Sequence, residues 1–206
     1  MACKYIVIEG QDGTGKTTQA DLLQKHLESK GHKVIHIKEP GGLPVAEAIR
    51  EVILNADLPR TPMTNTLLFT ANRHELWHAV IQPALASDTW VICTRNYYST
   101  LAYQGYGEGM DRGIITAITQ TFTDKRYMQP DYSIIMLYDD LAERRRRIAA
   151  RGELKNSDTF ESRDDGFQSR VDNGYSQIAK EFSIPTIDAG LTIDEIQADI
   201  RRIVGI

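Results

Sequence analysis

Residues 10–17 of this 206-residue chain read Gly10-Gln11-Asp12-Gly13-Thr14-Gly15-Lys16-Thr17. They fit the pattern G-x-x-x-x-G-K-[ST], in which a glycine-rich loop wraps the phosphates of a nucleoside triphosphate. Residues 4–8 before the loop form an apolar β-type run, and apolar residues recur at helical spacing over 20–27 after it. The loop therefore joins a predicted strand to the start of a predicted helix, which is the setting that the motif requires.

This setting favours a bound phosphate through its backbone chemistry. The first N–H groups of a helix lack partners within it, and the helix dipole places positive charge at the same end. Gly13 and Gly15 let the main chain approach a phosphate closely. We expect Lys16 to reach the β- and γ-phosphates and the Thr17 hydroxyl to bind Mg²⁺.

Length and composition bound the class of protein. A chain of 206 residues suffices for one well-buried α/β domain and requires no second one. The net charge of -4 and the pI of about 5.7 give no basic field, so we expect neither nucleic acid nor membrane as a partner. The absence of a signal peptide and of a long apolar run predicts a cytoplasmic protein. Cys3 and Cys93 are expected to be reduced thiols in or near the core.

Five apolar β-type runs alternate with helical patterns. The runs are Tyr5 to Ile8, Val34 to Ile37, Trp90 to Cys93, Ser133 to Leu137, and Pro185 to Ile187. This alternation predicts an α/β fold with a five-stranded parallel sheet flanked by helices. The polar segment 152–166 suits a mobile lid over a site and an ordinary surface loop equally well. We expect residues 1–206 to form a single domain that includes this segment.

Several stretches resemble the thymidylate kinase family, in an order and spacing that cover nearly the whole chain. Residues 9–19 resemble the phosphate loop of that family, and 38–42 are similar to Arg-Glu-Pro-Gly-Gly with lysine in place of arginine. Residues 99–105 resemble its Ser-Thr-x-Ala-Tyr-Gln-Gly, which follows a strand ending in Asp-Arg, although Thr94 replaces the aspartate here. The resemblance implies a P-loop nucleoside-monophosphate kinase fold, and transfer of the γ-phosphoryl group of ATP to dTMP to give dTDP.

The resemblance also implies roles for individual residues, with Mg²⁺ as the metal on Thr17. The implied catalytic residues are Asp12, Lys16, Arg95 and Arg151, with Arg151 ahead of Lys155 and Arg163 as the transition-state arginine. The residues implied in ATP binding are Gly10, Gln11, Asp12, Gly13, Thr14, Gly15, Lys16, Thr17, Thr18, Arg147 and Arg151. The residues implied in dTMP binding are Asp12, Glu39, Pro40, Phe69, Arg73, Arg95, Ser99, Thr100, Tyr103 and Gln104.

The implied choice of base and sugar depends on three of these residues. Phe69 and Arg73 lie one helical turn apart and so share a face. In the family the phenylalanine stacks on thymine, and the arginine donates to its O4, a carbonyl where cytosine has an amino group. Tyr103 maps to the ring beneath the sugar, where a 2'-hydroxyl would collide. Without the resemblance, Phe69 would be interpreted as an ordinary core residue.

Several alternatives stay open on the sequence alone. Thr94 lacks the charge of the family's aspartate, so either Asp12 and water compensate, or turnover is slow or lost, or the accepted nucleotide differs. Residues 74–78 fit H-E-x-x-H, a zinc-peptidase signature, but the glycine and histidine of its extended pattern are missing, and we interpret the match as coincidence. The family forms homodimers, and the apolar positions over 63–86 suit a dimer face or the core.

Overall fold

The computed structural model describes residues 3–150, 159–160 and 163–206. Its strands are β1 (Tyr5–Gly10), β2 (Val34–Lys38), β3 (Trp90–Thr94), β4 (Tyr132–Leu137) and β5 (Thr186–Asp188). All strand pairs are parallel, and the order across the sheet is β2-β3-β1-β4-β5. The predicted five-stranded parallel sheet is therefore confirmed, and each strand overlaps the run expected for it.

Helices connect the strands along the chain. They are α1 (Lys16–Ser29), α2 (Pro44–Leu54), α3 (Pro62–Leu76), α4 (Gln82–Ala86), α5 (Tyr97–Thr100), α6 (Arg112–Phe122), α7 (Lys125–Met128), α8 (Leu141–Ala149), α9 (Asp165–Glu181) and α10 (Ile193–Val204). A π-helical turn at Trp77–Ile81 joins α3 to α4, and a second one at Leu101–Gly107 continues α5. Among the residues that the structure describes, no helix combines the length and the apolar character needed to cross a membrane.

Most helices begin at a residue whose side chain accepts a hydrogen bond from a backbone N–H of the first turn. These capping residues are Thr61, Asn96, Asp111, Asp124, Asp140, Asp164 and Thr192. No side chain in the described part of the chain caps α1, which Gly15 precedes in the left-handed conformation with φ of 86°. The first N–H groups of α1 are therefore not bound by a capping side chain, and they can donate hydrogen bonds to a ligand instead.

The strands divide the interior into two apolar clusters, because alternate side chains point to opposite faces of the sheet. On one face, Ile6 and Ile8 lie in a cluster with residues of α1 and α10. On the other face, Tyr5 and Val7 lie in a cluster with residues of α3 and α9. β1 is buried along its whole length, so the loop that follows it starts from a rigid support.

The strand order places a crevice at the carboxyl ends of β1 and β3. From β1 the chain crosses toward one edge of the sheet to reach β2, whereas from β3 it crosses toward the opposite edge to reach β4. In open α/β sheets, ligands bind at such a point, where the direction of the connections reverses. The loops after these two strands, 11–15 and 95–96, therefore face the same crevice.

Candidate active site

The phosphate loop follows β1 and leads into α1, as the motif requires. Thr14 Oγ1 donates to the Gln11 carbonyl (2.9 Å), and the Gln11 side chain accepts a hydrogen bond from the Tyr138 backbone (2.8 Å). Lys16 Nζ donates to the carbonyls of Gly10 (2.9 Å) and Gln11 (2.6 Å). The ammonium charge thus lies inside the loop, beside the uncapped start of α1.

A cavity lies beside this loop, where β1, β2 and β3 end, and we call it the main cavity. Its lining residues are Asp12, Lys16, Thr17, Lys38, Glu39, Pro40, Arg50, Leu54, Phe69, Thr94, Arg95, Ser99, Tyr103, Gln104 and Phe160. Every residue predicted to bind dTMP lines it except Arg73 and Thr100. The lining combines charged groups at the strand ends with three aromatic rings, a composition that suits a ligand with a planar ring and an anionic group.

Arg95 lies at the centre of the polar part of the main cavity. It follows β3 with φ of 76°, a left-handed conformation that is uncommon for a residue other than glycine. Its guanidinium pairs with Asp12 and donates to Ser99 Oγ (2.9 Å) and the Tyr175 hydroxyl (2.8 Å). The other Asp12 oxygen accepts a hydrogen bond from the Tyr103 hydroxyl (2.6 Å). The structure thereby brings together Asp12, Arg95, Ser99 and Tyr103, four of the predicted site residues.

The Asp12 carboxyl is held in its ionised form. Burial acts to raise its pKa, but the charges of Arg95 and Lys16 and the hydrogen bond from Tyr103 lower the pKa well below its usual range. Burial acts to lower the pKa of the Arg95 guanidinium, but Asp12 above all, followed by Tyr175, Tyr103 and Glu9, raises that pKa well above its usual range. Asp12 and Arg95 therefore form a fully charged pair at neutral pH.

Phe69 and Arg73 take different places relative to the main cavity. The Phe69 ring lines it, whereas Arg73 is only 2% exposed and lies behind that ring, with its guanidinium carbon 5.4 Å from the ring centre. Arg73 donates to Glu39 (3.0 Å), to the Thr100 hydroxyl (2.8 Å) and to the Asn96 carbonyl (2.8 Å). Arg73 and Thr100 thus form a buried layer beneath the aromatic wall.

Glu39 anchors this buried layer at the end of β2. Its carboxylate accepts hydrogen bonds from Arg73 and from the Tyr127 hydroxyl (2.9 and 3.0 Å). Burial raises the pKa of Glu39, although Arg73 and Tyr127 act to lower it. Pro40 follows through a cis peptide bond, and its carbonyl accepts a hydrogen bond from Arg50 (2.7 Å).

Thr94 ends β3 where the resembling family has an aspartate. Its hydroxyl lies 3.4 Å from the Ile37 carbonyl and 3.4 Å from His36 Nε2, and His36 in turn contacts Asp21 (2.9 Å). In the ranges 3–150, 159–160 and 163–206, no group of three or more His, Cys, Asp or Glu residues could hold a metal. The main cavity offers oxygen donors instead, from Thr17, Asp12 and Thr94. Such a set fits Mg²⁺, which takes few protein oxygens and completes its shell with water and phosphate.

A second pocket lies on the other side of the phosphate loop. Its lining residues are Gly13, Thr14, Gly15, Thr18, Gln19, Arg147, Ala189, Leu191, Ile193 and Ile196. Arg147 donates to the Ala189 carbonyl (3.2 Å) and lies over the Tyr138 ring, 4.7 Å from its centre. The loop therefore separates two pockets, and Lys16 and Thr17 line the main cavity while Gly15 and Thr18 line the second pocket.

Of the predicted lid, the structure describes residues 159–160 and 163–166. Arg151 and Lys155 lie outside the described residues, as do 152–158 and 161–162 of the predicted lid. Phe160 lines the main cavity, with its ring 6.0 Å from Phe69 and 5.8 Å from Tyr103 between centres. Arg163 lines neither pocket, because it contacts Glu108 (3.3 Å) and covers the Phe167 ring.

The H-E-x-x-H stretch lies away from both pockets. His74 and His78 are exposed, and their ring centres are 4.5 Å apart. His74 Nδ1 contacts the Phe122 carbonyl at 2.6 Å. His74 also lines a shallow apolar groove with Val45 and Leu67 on the surface formed by α2 and α3.

Several residues of the site are not among those predicted from the sequence. Arg50, Leu54 and Phe160 line the main cavity, and no local motif distinguishes them. Glu9 and Tyr175 hold Arg95 from behind without lining the cavity. A signal for Glu9 exists, because it is a charged residue at the end of an otherwise apolar strand run, and buried charges need specific partners.

The chain matches known proteins over nearly its whole length. The family model described as thymidylate kinase matches residues 8–200. The thymidylate kinase of Gloeobacter violaceus is 36% identical over 204 residues, which cover 98% of this chain and 94% of that relative. The thymidylate kinase of Chlorobaculum tepidum is 38% identical over 200 residues, which cover 95% of this chain and 94% of that relative.

The fold has a counterpart among solved structures. A crystal structure of thymidylate kinase from Ehrlichia chaffeensis matches with a TM-score of 0.78 and 28% identity, and the match covers 100% of both chains. The predicted P-loop nucleoside-monophosphate kinase fold is thereby confirmed. Together with the match over residues 8–200, the near-complete coverage of relatives above 30% identity means that this chain belongs to the thymidylate kinase family.

Proposed function

We propose that this protein is a cytoplasmic enzyme that transfers the γ-phosphoryl group of ATP to dTMP, giving ADP and dTDP. The observation that carries the proposal is the pair of pockets on the two sides of one phosphate loop. A transferase must hold two reactants next to each other, and adjoining pockets meet that requirement. Membership of the thymidylate kinase family supports dTMP as the acceptor.

In this proposal dTMP binds in the main cavity. Phe69 stacks on thymine, because its ring forms the wall of the cavity. Arg73 lies behind that ring, so we assign its hydrogen bond to thymine O4 on the family resemblance. Its terminal nitrogens each keep a second N–H group beyond the one that holds Thr100 or Asn96. Tyr103, fixed by its hydrogen bond to Asp12, packs against the deoxyribose.

ATP binds across the phosphate loop into the second pocket. The backbone N–H groups of the loop and of the uncapped start of α1 hold the phosphates, and Lys16 exchanges its carbonyl contacts for phosphate oxygens. Arg147 covers the nucleoside from its position on the Tyr138 ring. Thr17, with Asp12 beside it, would hold Mg²⁺, which when bound supplies positive charge to the donor phosphates.

The chemistry requires alignment and charge, and no covalent intermediate. An oxygen of the acceptor phosphate attacks the γ-phosphorus, and the bond from that phosphorus to the bridging oxygen of ADP breaks. Arg95 holds the acceptor phosphate in line, and Lys16 neutralises charge on the moving group. We assign Arg151 as the transition-state arginine and 152–166 as a lid that closes over the nucleotides, on the family resemblance.

A substrate panel tests the proposed function. Turnover of dTMP, dUMP, dGMP and dCMP is compared at saturating ATP, with Lys16→Ala as the inactive control. We expect dTMP to give the highest kcat/KM and the control to abolish dTDP formation. Preference for a purine would contradict the roles of Phe69 and Arg73. Nucleotide binding without turnover would show that Thr94 does not replace the family's aspartate.

We also propose that the protein acts as a homodimer. Exposed apolar residues of three neighbouring helices line one groove, namely Val45 of α2, Leu67 of α3 and Phe122 of α6. The same helices also expose Val52, Met63 and Ile114. A contiguous apolar face of this kind is typical of a subunit interface.

Leu67→Glu places a charge in this apolar face, and sedimentation should then show a monomer. Ile193→Glu, at an apolar site that is more exposed than Leu67 and lies on the opposite side of the sheet, is the control and should stay dimeric.

A further inference from the structure

Glu9 is a carboxylate with no exposed surface at the end of β1. Its Oε1 accepts hydrogen bonds from the backbone N–H groups of Asn96 (2.7 Å) and Ser99 (3.0 Å), at the start of α5. Its Oε2 accepts hydrogen bonds from the Ser99 hydroxyl (2.8 Å) and the Tyr175 hydroxyl (3.2 Å). Since Glu9 does not line the main cavity, these contacts serve the protein and not a ligand directly.

The contacts of Glu9 converge on Arg95 in two ways. Arg95 is the left-handed residue between β3 and α5, and Glu9 fixes the backbone N–H of the very next residue, Asn96. The guanidinium donates to the same two hydroxyls that Glu9 holds, those of Ser99 and Tyr175. Arg95 Nη1 also lies 3.9 Å from Glu9 Oε2. Glu9 therefore constrains both the backbone and the side chain of Arg95.

A purely structural bond acceptor in this position would not need a charge. Burying a carboxylate is costly unless a cation compensates it, and Arg95 is the arginine paired with it among the described residues. We propose that Glu9 is a positioning residue that aims the Arg95 guanidinium at the acceptor phosphate. This inference rests on the proposed function, because it takes dTMP as the ligand of Arg95.

The substitution Glu9→Gln tests the inference, because it keeps the size of the side chain but removes the charge and one acceptor oxygen. Equilibrium dissociation constants are measured for dTMP and for thymidine, which has the same base and sugar but no phosphate. We expect dTMP binding to weaken about tenfold and thymidine binding to change less than about twofold. The inference is overturned if binding of both ligands weakens to the same degree, or if binding of neither ligand weakens.

Matched variants distinguish a specific effect on the position of Arg95 from a general loss of structure. Tyr175→Phe removes one hydroxyl of the same network and should weaken dTMP selectively, by about threefold; it decides the question if Glu9→Gln does not fold. Tyr5→Phe is the control, since the buried Tyr5 hydroxyl has no hydrogen-bond partner among the described residues. Glu39→Gln should weaken dTMP and thymidine together, because Glu39 supports Arg73 on the base side.

The proposed function and the positioning role fail in different ways. Wild-type protein that binds neither dTMP nor thymidine contradicts the function, and with it the inference. Wild-type protein that binds both, with a Glu9→Gln variant that loses both to the same degree, leaves the function intact and overturns only the role of Glu9.

Discussion

Arg95 is the residue on which the acceptor side of the proposed reaction depends. Its planar guanidinium contacts Ser99 and Tyr175 through Nη1 and Asp12 through Nη2, and a lysine ammonium has no such pair of nitrogens. We predict that Arg95→Lys lowers kcat/KM for dTMP by about 100-fold, while the KM for ATP changes less than about twofold. Steady-state kinetics with each substrate varied in turn measures both effects. Arg202→Lys, at an exposed arginine of α10, should behave as wild type.

Asp12 links the stability of the fold to pH. Against the effect of burial, Arg95, Lys16 and Tyr103 lower the pKa of Asp12 in the folded protein. The unfolded chain takes up the same proton at about pH 3.9, so the stabilisation by Asp12 is complete above that pH and is lost as the pH falls below it. We predict that Asp12→Asn flattens the fall in the free energy of unfolding between about pH 5 and pH 2.

Urea denaturation at each pH measures this dependence. Asp57→Asn, at an exposed site in the loop after α2, is the control and should keep the wild-type slope. A slope that Asp12→Asn leaves unchanged would show that the charged pair with Arg95 adds nothing to stability.

At the scale of elements, the junction of β1 with the phosphate loop depends on one close approach. A Cβ on Gly10, whose φ is 137°, would lie 2.1 Å from the Met136 carbonyl oxygen of β4. We predict that Gly10→Ala lowers the free energy of unfolding by about 3 kcal/mol or more. Gly31→Ala is the comparison, because Gly31 also has a positive φ of 85° but no atom near its Cβ position. It should cost about 1 kcal/mol in urea denaturation. Similar losses of unfolding free energy in the two variants would mean that β4 shifts to accommodate the added methyl group.

The elements themselves are predictable because their signals are local. The apolar run before Gly10, the loop motif and the helical spacing after it all lie within a short segment, and the structure has β1, the loop and α1 there. The sequence does not reveal that β1 lies between β3 and β4, since strand order depends on how the connections cross the sheet. The π-helical turn at Leu101–Gly107 also leaves no signal in the apolar pattern.

The partners of the site residues are less predictable, because they come from distant parts of the chain. Glu9 binds the backbone of Asn96, 87 residues away, and the Tyr175 hydroxyl, 166 residues away. The resemblance to a family supplies residues such as Phe69 and Arg73, but not the finding that Arg73 is already bound to Glu39 and lies beneath the ring. Burial and pairing of this kind follow only from the assembled sheet.

At the scale of the whole molecule, the two pockets should respond separately to mutation. A ligand that binds only the folded state stabilises it, by about 2.7 kcal/mol at 100 times its Kd. We predict that dTMP and ATP each raise the Tm of the wild type. Phe69→Ala should lose most of the dTMP shift and keep the ATP shift, and Arg147→Ala should do the reverse. Thermal unfolding with each nucleotide measures this, and the loss of both shifts in either variant would contradict two separate pockets.

The two apolar clusters on opposite faces of the sheet have a consequence for the evolution of this protein. Part of the wall of the main cavity belongs to one cluster, through Tyr103 and the adjacent Phe69. Ala189 and Ile196 of the second pocket belong to the other cluster. Substitutions at positions in one cluster leave the packing of the other cluster unchanged, because the sheet lies between them. A lineage can therefore acquire a new acceptor nucleotide by changes on one face while it inherits its use of the donor intact.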